Sequence, residues 1–401
     1  MTLKDELEIL RGEPIEVFDG DPMDIPCVEM SDTEKLCKHP VVSVQMCAYN
    51  HEPYIRQAIE GVMMQQTDFE FELVIGEDCS QDKTREICFE YQKKYPDKIR
   101  VLWWHENVSK LGGNSRRVQA RCRGEFIALC EGDDYWIDPL KLQKQVDVMR
   151  KYPNVGLCFC GAKIYSSQEN KWNVWNEAFD GFSPGLIKSR KYILWTMLGR
   201  NPYQSPKSEF WQMTVTFMFR LSILSRAQRT FDLFRWKLYV SDSIWCIGVG
   251  ALSDVYYIAD NVAVYRQMST GVTLSKGAWC GRDTLLVRLY YYREVFKIAW
   301  FSLPQKILER YIYFVMGAMG ESLTKRREYI KRITSKFFMD GIFRRIVCRL
   351  LLLTFYRPFT RRRPIFSLIC RVRTLLLSFD SSKELDAIYT QSGAIYASPN
   401  A

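Results

Sequence analysis

Histidine is scarce in this chain, and the scarcity excludes several chemistries. Only His39, His51 and His105 occur among 401 residues, and no two stand at the spacing of a helical zinc-ligand pair. There is no G-x-S-x-G turn for a serine nucleophile, no Walker-type phosphate loop and no G-x-G-x-x-G after an apolar run. The 13 cysteines include no C-x-x-C pair, only the C-x-C of Cys158 and Cys160. Cys47, Cys88 and Cys130 lie inside apolar runs, so they read as small buried hydrophobes of a reducing compartment, not as a disulfide framework or a zinc site. No apolar stretch reaches the roughly 18 residues that cross a bilayer. The start, Met1-Thr2-Leu3-Lys4-Asp5, lacks the apolar segment of a secretory signal. These absences predict a cytoplasmic protein, free or resting on a membrane surface.

What is present is ordinary in amount and uneven in placement. The chain is 47% hydrophobic and 25% charged, enough to bury a large core. The net charge of +10 is split between an acidic beginning and a basic end. Residues 1–40 are rich in Asp and Glu and carry Pro14, Pro22 and Pro26, which predicts a leader without a core of its own. Residues 342–377 hold Arg344, Arg345, Arg349, Arg357, Arg361, Arg362, Arg363, Arg371 and Arg373 and no acid, which predicts an anionic partner there.

Between these ends, short β-branched runs alternate with helical patterns. Strands are expected at 41–47, 71–75, 99–103, 126–130 and 155–160. Helices are expected at 53–65, 82–95, 114–122 and 139–151. Alternation of this kind implies an α/β fold with a mainly parallel sheet flanked by helices. Its ligand crevice would lie at the carboxyl ends of the strands. The regularity weakens over 162–275, where Trp172, Trp175, Trp195 and Trp211 read as loop residues. Strands are expected again at 214–220, 255–259 and 262–266, with a helix at 241–250. A helical region follows, with helices at 285–300, 304–319, 326–338 and 341–355.

Polar clusters fall where the crevice should be. Glu131-Gly132-Asp133-Asp134 follows the strand at 126–130. Carboxylates crowded at a strand end raise one another's pKa unless a cation neutralises them. Mg²⁺ or Mn²⁺ takes a few carboxylates and completes its shell with water and substrate phosphate. A solvated acidic turn that caps the next helix explains the same residues about equally well. Glu77 and Asp78 close another strand, and Ser80 or Asp82 after them can cap the following helix. Trp136, beside the acid cluster, is the tryptophan best placed to stack on a sugar.

Three of these segments and their order resemble the family 2 glycosyltransferases. They are Val41-Val42-Ser43-Val44 into Ala48-Tyr49-Asn50, then Glu77-Asp78-Cys79-Ser80-Gln81-Asp82, then Gly124-Glu125-Phe126-Ile127-Ala128 into the acid cluster. Thr214 to Arg220, Val240-Ser241-Asp242 and Tyr265-Arg266 through Gly271 extend the likeness, which covers about 41–275. The resemblance implies a GT-A fold, a nucleotide-sugar donor such as a UDP-sugar, a divalent metal and inversion at the anomeric carbon. It implies that Ala48, Tyr49, Asn50 and Glu77 or Asp78 hold the base and ribose. Asn114 with Arg116 or Arg117 would line the diphosphate. Glu131 and Asp133 would form the D-x-D, with Asp133 on the metal and Asp134 near the donor, and Asp242 would be the general base. Glu131 departs from the family's Asp, and Met268 stands where many relatives place His.

The resemblance divides the chain into an acidic leader at 1–40, the catalytic domain at 41–275 and a helical basic region at 276–401. The expected activity is transfer of a sugar to a glycan or lipid-linked acceptor, serving surface polysaccharide synthesis. A non-catalytic nucleotide-sugar or glycan binder with a degenerate site is the alternative. The arginines of 342–377, mixed with Leu and Phe, suit the headgroups of an anionic leaflet on the inner face of the cytoplasmic membrane. No nucleic-acid-binding module accompanies them.

Overall fold

A computed structural model describes residues 26–109, 114–167, 170–174, 184–189, 213–238 and 241–268. It also describes 4, 14–17, 192–193, 283, 286–287 and 290–291. Apart from Leu286, Val287, Tyr290 and Tyr291, the helices expected beyond 284 and the basic segment 342–377 lie outside these residues. The chain divides into two compact units, and the one formed by Glu16–Cys280 contains the sheet.

Eleven strands form one sheet: β1 (Val28–Met30), β2 (Val42–Ala48), β3 (Phe71–Glu77), β4 (Ile99–Trp103), β5 (Phe126–Leu129), β6 (Tyr135–Trp136), β7 (Val155–Ser166), β8 (Lys171–Val174), β9 (Gly185–Ile187), β10 (Met218–Arg220) and β11 (Asp254–Gln267). The spatial order is β1-β4-β3-β2-β5-β10-β7-β11-β6, with β8 beside β7 and β9 beside β11. β4, β3, β2 and β5 are parallel, and so are β7 and β11. β10 joins the two parallel groups by running antiparallel to both β5 and β7. The chain moves from β2 outward to β3 and β4, then crosses back to β5 on the other side of β2. That reversal opens a crevice at the carboxyl end of β2.

Apolar spacing explains the helices that flank the sheet. In α1 (Ile55–Met63), Ile55, Ala58, Ile59 and Val62 recur at the period of one helix face and are buried. Gly61 of α1 meets β6 so closely that a Cβ would lie 2.9 Å from the Trp136 nitrogen and oxygen. α2 (Thr84–Lys94) and α3 (Asn114–Ala120) follow β3 and β4. α4 (Lys141–Lys151) buries Leu142, Gln145, Val146 and Met149 by the same periodicity. α5 (Leu221–Thr230) and α6 (Ser241–Leu252) precede β11.

Several elements differ from the sequence reading. The acidic leader supplies β1, which adds an antiparallel edge to β4. Arg100 fixes it there, donating to both carboxylate oxygens of Glu29 at 2.8 and 3.0 Å and to Glu72 at 3.3 Å. The strand expected over 214–220 is a 3₁₀ turn at Thr214–Thr216 and then β10. The two strands expected between 255 and 266 are one, β11, with an irregular step between Ile258 and Asn261. Gly161 accommodates that step, since a Cβ there would lie 2.8 Å from Asn261 Oδ1. Trp172, read as a loop residue, lies on β8.

Candidate active site

The polar residues after β2, β3 and β5 meet at the expected crevice. Ala48 ends β2, and its carbonyl accepts from the Asp78 amide at 2.9 Å. Tyr49 stands exposed beside it. Asn50 adopts a left-handed φ of 54°, which Asn tolerates better than most residues. Its amide donates to Ser80 Oγ at 3.0 Å, and its Oδ1 accepts from the Gln81 amide at 2.8 Å. Asp82 caps the start of α2 by accepting from the Thr84 amide at 3.0 Å, and it also accepts from the Glu52 amide at 3.0 Å. Loops 49–52 and 79–84 are thereby laced together.

The two acids at the end of β3 are fully engaged. Glu77 is buried; its Oε1 accepts from the Ser80 amide at 2.7 Å and its Oε2 from Arg85 Nε. Glu77 therefore shapes the turn from inside. Asp78, also buried, accepts from the Val108 and Ser109 amides at 2.6 and 3.0 Å. Arg117 lies in range of Asp78, whose charge raises the guanidinium pKa against the stronger lowering by burial. Its Nη1 donates to the Val108 carbonyl at 3.5 Å. Asn114 begins α3 and donates to the Gly76 carbonyl at 2.7 Å. A Cβ on Gly76 would lie 2.5 Å from Asn114 Oδ1 and 2.2 Å from Val118, so only glycine lets α3 approach this closely.

The acids after β5 are arranged differently. Burial first, then the Asp133 charge, push the Glu131 pKa up to about 8. The same two causes raise Asp134, opposed by the Arg266 amide, which donates to its Oδ1 at 2.8 Å. Asp133 keeps part of its surface open. Asp242 lies in the first turn of α6 and accepts from the Ser243 amide at 2.7 Å. Burial raises its pKa, and its charge in turn raises that of Glu131. The structure thus brings Asp242 to the acid loop across more than a hundred residues of chain.

Arg266 and His51 belong to this site, and the sequence reading assigned neither a site role. The Arg266 Nη1 donates to the Asp133 carbonyl at 2.6 Å and its Nη2 contacts Gln57. The guanidinium lies 4.3 Å from the Tyr135 ring centroid and 5.2 Å from that of Tyr54. Its place in the closing Tyr265-Arg266 segment is the signal that could have found it. His51 follows Asn50 directly. Its Nδ1 is buried without a hydrogen-bond partner among the described residues and lies 2.7 Å from where a Gly132 Cβ would be. Trp136, by contrast, is not a sugar platform. It is buried, its indole donates to the Val215 carbonyl at 2.9 Å, and the Lys141 ammonium sits 4.1 Å from its ring centroid.

Among the described residues no three His, Cys, Asp or Glu side chains converge as a closed metal cage. The donor set still suits a hard divalent ion held in part by substrate. Glu131, Asp133 and Asp134 are oxygen donors, and burial together with the Asp133 charge raises the pKa of the first and third, a shift that a cation held in the loop would reverse.

The sequence pattern of Glycosyl transferase family 2 matches residues 43–221. Over this segment, a little under half of its length, the chain is similar to the family 2 glycosyltransferases. An uncharacterized protein of Mycobacterium tuberculosis is 30% identical over 238 residues, which are 58% of this chain and 60% of that protein. The chain therefore covers about 60% of the length of the first curated relatives it matches. A Bacillus subtilis protein, TuaG, named as a glycosyltransferase of teichuronic acid biosynthesis, is 33% identical over 110 residues, 27% of this chain and 42% of its own. The crystal structure of S. aureus TarS 1–349 in complex with UDP-GlcNAc superposes with a TM-score of 0.50 at 16% identity, over 73% of this chain and 80% of that one. The shared fold is the GT-A fold.

Proposed function

We propose that this chain is an inverting family 2 glycosyltransferase that moves a sugar from a nucleoside-diphosphate donor to a hydroxyl of a saccharide acceptor. One observation carries the reading: Glu131, Asp133 and Asp134 crowd together in the loop after β5, close enough to Asp242 that its charge raises the Glu131 pKa. On this reading Tyr49 stacks on the base, while Ala48, Asn50 and Asp78 present their polar edges to base and ribose. Glu77 acts through the turn it holds. Asn114 and Arg117 line the diphosphate side. Asp133, with Glu131 and Asp134 beside it, would hold Mg²⁺ or Mn²⁺ together with the donor phosphates. The bound ion supplies positive charge where the leaving diphosphate gains negative charge.

Asp242 accepts the proton of the acceptor hydroxyl as that oxygen bonds the anomeric carbon. The bond from the anomeric carbon to the phosphate oxygen breaks, and its electron pair leaves with the nucleoside diphosphate. One displacement inverts configuration and needs a single base. The raised pKa of Asp242 makes it a better proton acceptor than a solvated carboxylate.

A uridine donor is the first to test, because the TarS structure of the same fold holds UDP-GlcNAc. The TuaG relative directs attention to surface polysaccharides as acceptors. The decisive screen measures transfer and hydrolysis of UDP- and GDP-sugars with Mg²⁺ and with Mn²⁺. Turnover of one donor supports the reading. Tight binding of a donor without turnover on any acceptor supports a non-catalytic binder instead.

No helix among the described residues is long and apolar enough to cross a membrane. We assign residues 342–377 to contact with the anionic inner face of the cytoplasmic membrane, on their nine arginines and intervening Leu and Phe. In flotation with phosphatidylglycerol vesicles the full chain should rise with the lipid at low salt and less at high salt. A variant with these arginines changed to Gln should stay behind. Equal flotation of both would refute the assignment.

A further inference from the structure

The site described above uses Arg266 but leaves the sheet beside it unassigned. Tyr165 of β7 is paired with Trp172 of β8 on one side and with Arg266 of β11 on the other. Residues paired across adjacent strands project to the same face of a sheet. A single row therefore runs Arg266, Tyr165, Trp172. Adjacent strands lie about 4.8 Å apart, which puts the Trp172 backbone about 10 Å from that of Arg266. Arg266 donates to the Asp133 carbonyl, so the row begins at the acid loop itself.

The far end of the row is aromatic, open and fixed. Trp172 is 55% exposed, the one exposed tryptophan among the described residues. Its ring and that of Tyr165 lie 5.0 Å apart, tilted by 46°. The Tyr165 hydroxyl donates to Asn170 Oδ1 at 2.9 Å, and Asn170 holds a left-handed φ of 47°. The hairpin turn itself thus anchors the phenol against which the indole leans. Exposed Lys171 beside Trp172, and the phenol hydroxyl, supply polar groups at the edge of the apolar surface. A flat apolar face rimmed with hydrogen-bonding groups matches a pyranose, which has one face of C–H bonds and a rim of hydroxyls.

We propose that Trp172 and Tyr165 form an acceptor subsite, where a pyranose of the acceptor stacks on the indole while a neighbouring sugar presents its hydroxyl near Asp242. The proposal rests on the glycosyltransferase reading for what the bound saccharide is used for. The saccharide-binding surface itself can be tested separately.

The experiment uses the full chain labelled with 5-fluorotryptophan. The Trp172 resonance is assigned by its disappearance in Trp172→Phe. Maltotetraose, chitotetraose and mannotetraose are titrated in turn, and saturation transfer to the sugar protons is measured in parallel. One of them should shift the Trp172 resonance. Trp172→Ala should weaken its binding at least about tenfold, or about 1.4 kcal/mol, and Trp172→Phe should retain most of it. Acceptor-free hydrolysis of UDP-GlcNAc is measured beside these titrations as the separate readout of the transferase reading. If no nucleotide sugar is turned over by either protein, the transferase reading fails while the saccharide measurements still report on Trp172. The proposal is overturned if no saccharide moves the Trp172 resonance or if Trp172→Ala binds as wild type does. It is equally overturned if the resonance answers only to phosphatidylglycerol vesicles, or only to protein concentration, which would mark a membrane contact or a contact between copies.

Discussion

Glu77 and Asp78 close β3; Glu131, Asp133 and Asp134 follow β5, with β2 between them. In the first cluster both carboxylates are buried and every oxygen accepts from an amide or from Arg85. In the second, a backbone amide reaches Asp134, and Arg266 spends its Nη1 donor on the Asp133 carbonyl. Glu131 and Asp134 answer with raised pKa values. Similar residues at similar strand ends thus serve opposite ends. The first cluster holds loops in place, whereas on the proposed reading the second, its carboxyls kept from ionising by burial and by one another, gives up protons to a cation that arrives with the substrate. Carboxyls that disfavour one another's ionisation, more than the presence of acids, mark the side of the crevice proposed to be reactive.

The comparison can be broken most directly at Asp133. Asp133→Ala should abolish transfer while the circular dichroism spectrum and melting cooperativity stay as in wild type. Residual transfer near the wild-type rate would place the catalytic charge elsewhere.

A second test lies beneath the reactive loop, where burial lowers the Lys141 pKa from 10.5 to about 8. Below pH 8 the folded chain carries a buried ammonium that unfolding would rehydrate, so wild-type stability should rise between about pH 8 and 10.5 as that proton leaves. Lys141→Met lacks this term. Its stability relative to wild type should fall by about 3 kcal/mol from pH 7 to pH 10.5 in denaturant titrations. A constant difference would mean the ammonium is fully compensated where it sits.

Asp242→Asn should leave donor binding intact and cut turnover by about 10²-fold or more, the scale of a lost general base. Turnover within a few-fold of wild type would make Asp242 a helix-terminus residue only.

The smallest effects form a mirrored pair. Glu77→Gln removes a charge that two donors hold and should destabilise the fold by about 2 kcal/mol. Glu131→Gln should do the reverse. Its raised folded pKa means that wild type loses stability as pH rises from 4.5 toward about 8, because the unfolded carboxyl ionises first. Without divalent cation the Gln variant should match wild type near pH 4 and exceed it at pH 7. Urea titrations at the two pH values read both variants.

Much of this was legible in advance, for identifiable reasons. Strands such as Val42–Ala48 and helices such as Lys141–Lys151 announce themselves through local periodicity. The crevice residues follow from strand ends, and the family resemblance assigns them roles. What escaped depends on distant partners. β1 forms because Arg100 reaches Glu29, 71 residues away. Trp136 is buried because its indole finds the Val215 carbonyl, 79 residues away. Arg266 joins the site across 133 residues. Trp172 reads as a loop residue until the β7–β8 pairing sets it opposite Tyr165. No local pattern encodes such pairings.

The central claim, that the loop after β5 is the one awaiting a cation, is tested most directly by calorimetric titration of UDP-GlcNAc and UDP with and without Mn²⁺. The wild-type chain should bind more tightly with Mn²⁺, Asp133→Ala should lose that enhancement, and Glu77→Gln, measured where it is folded, should keep it. An enhancement that survives in Asp133→Ala, or one lost only in Glu77→Gln, would contradict the account.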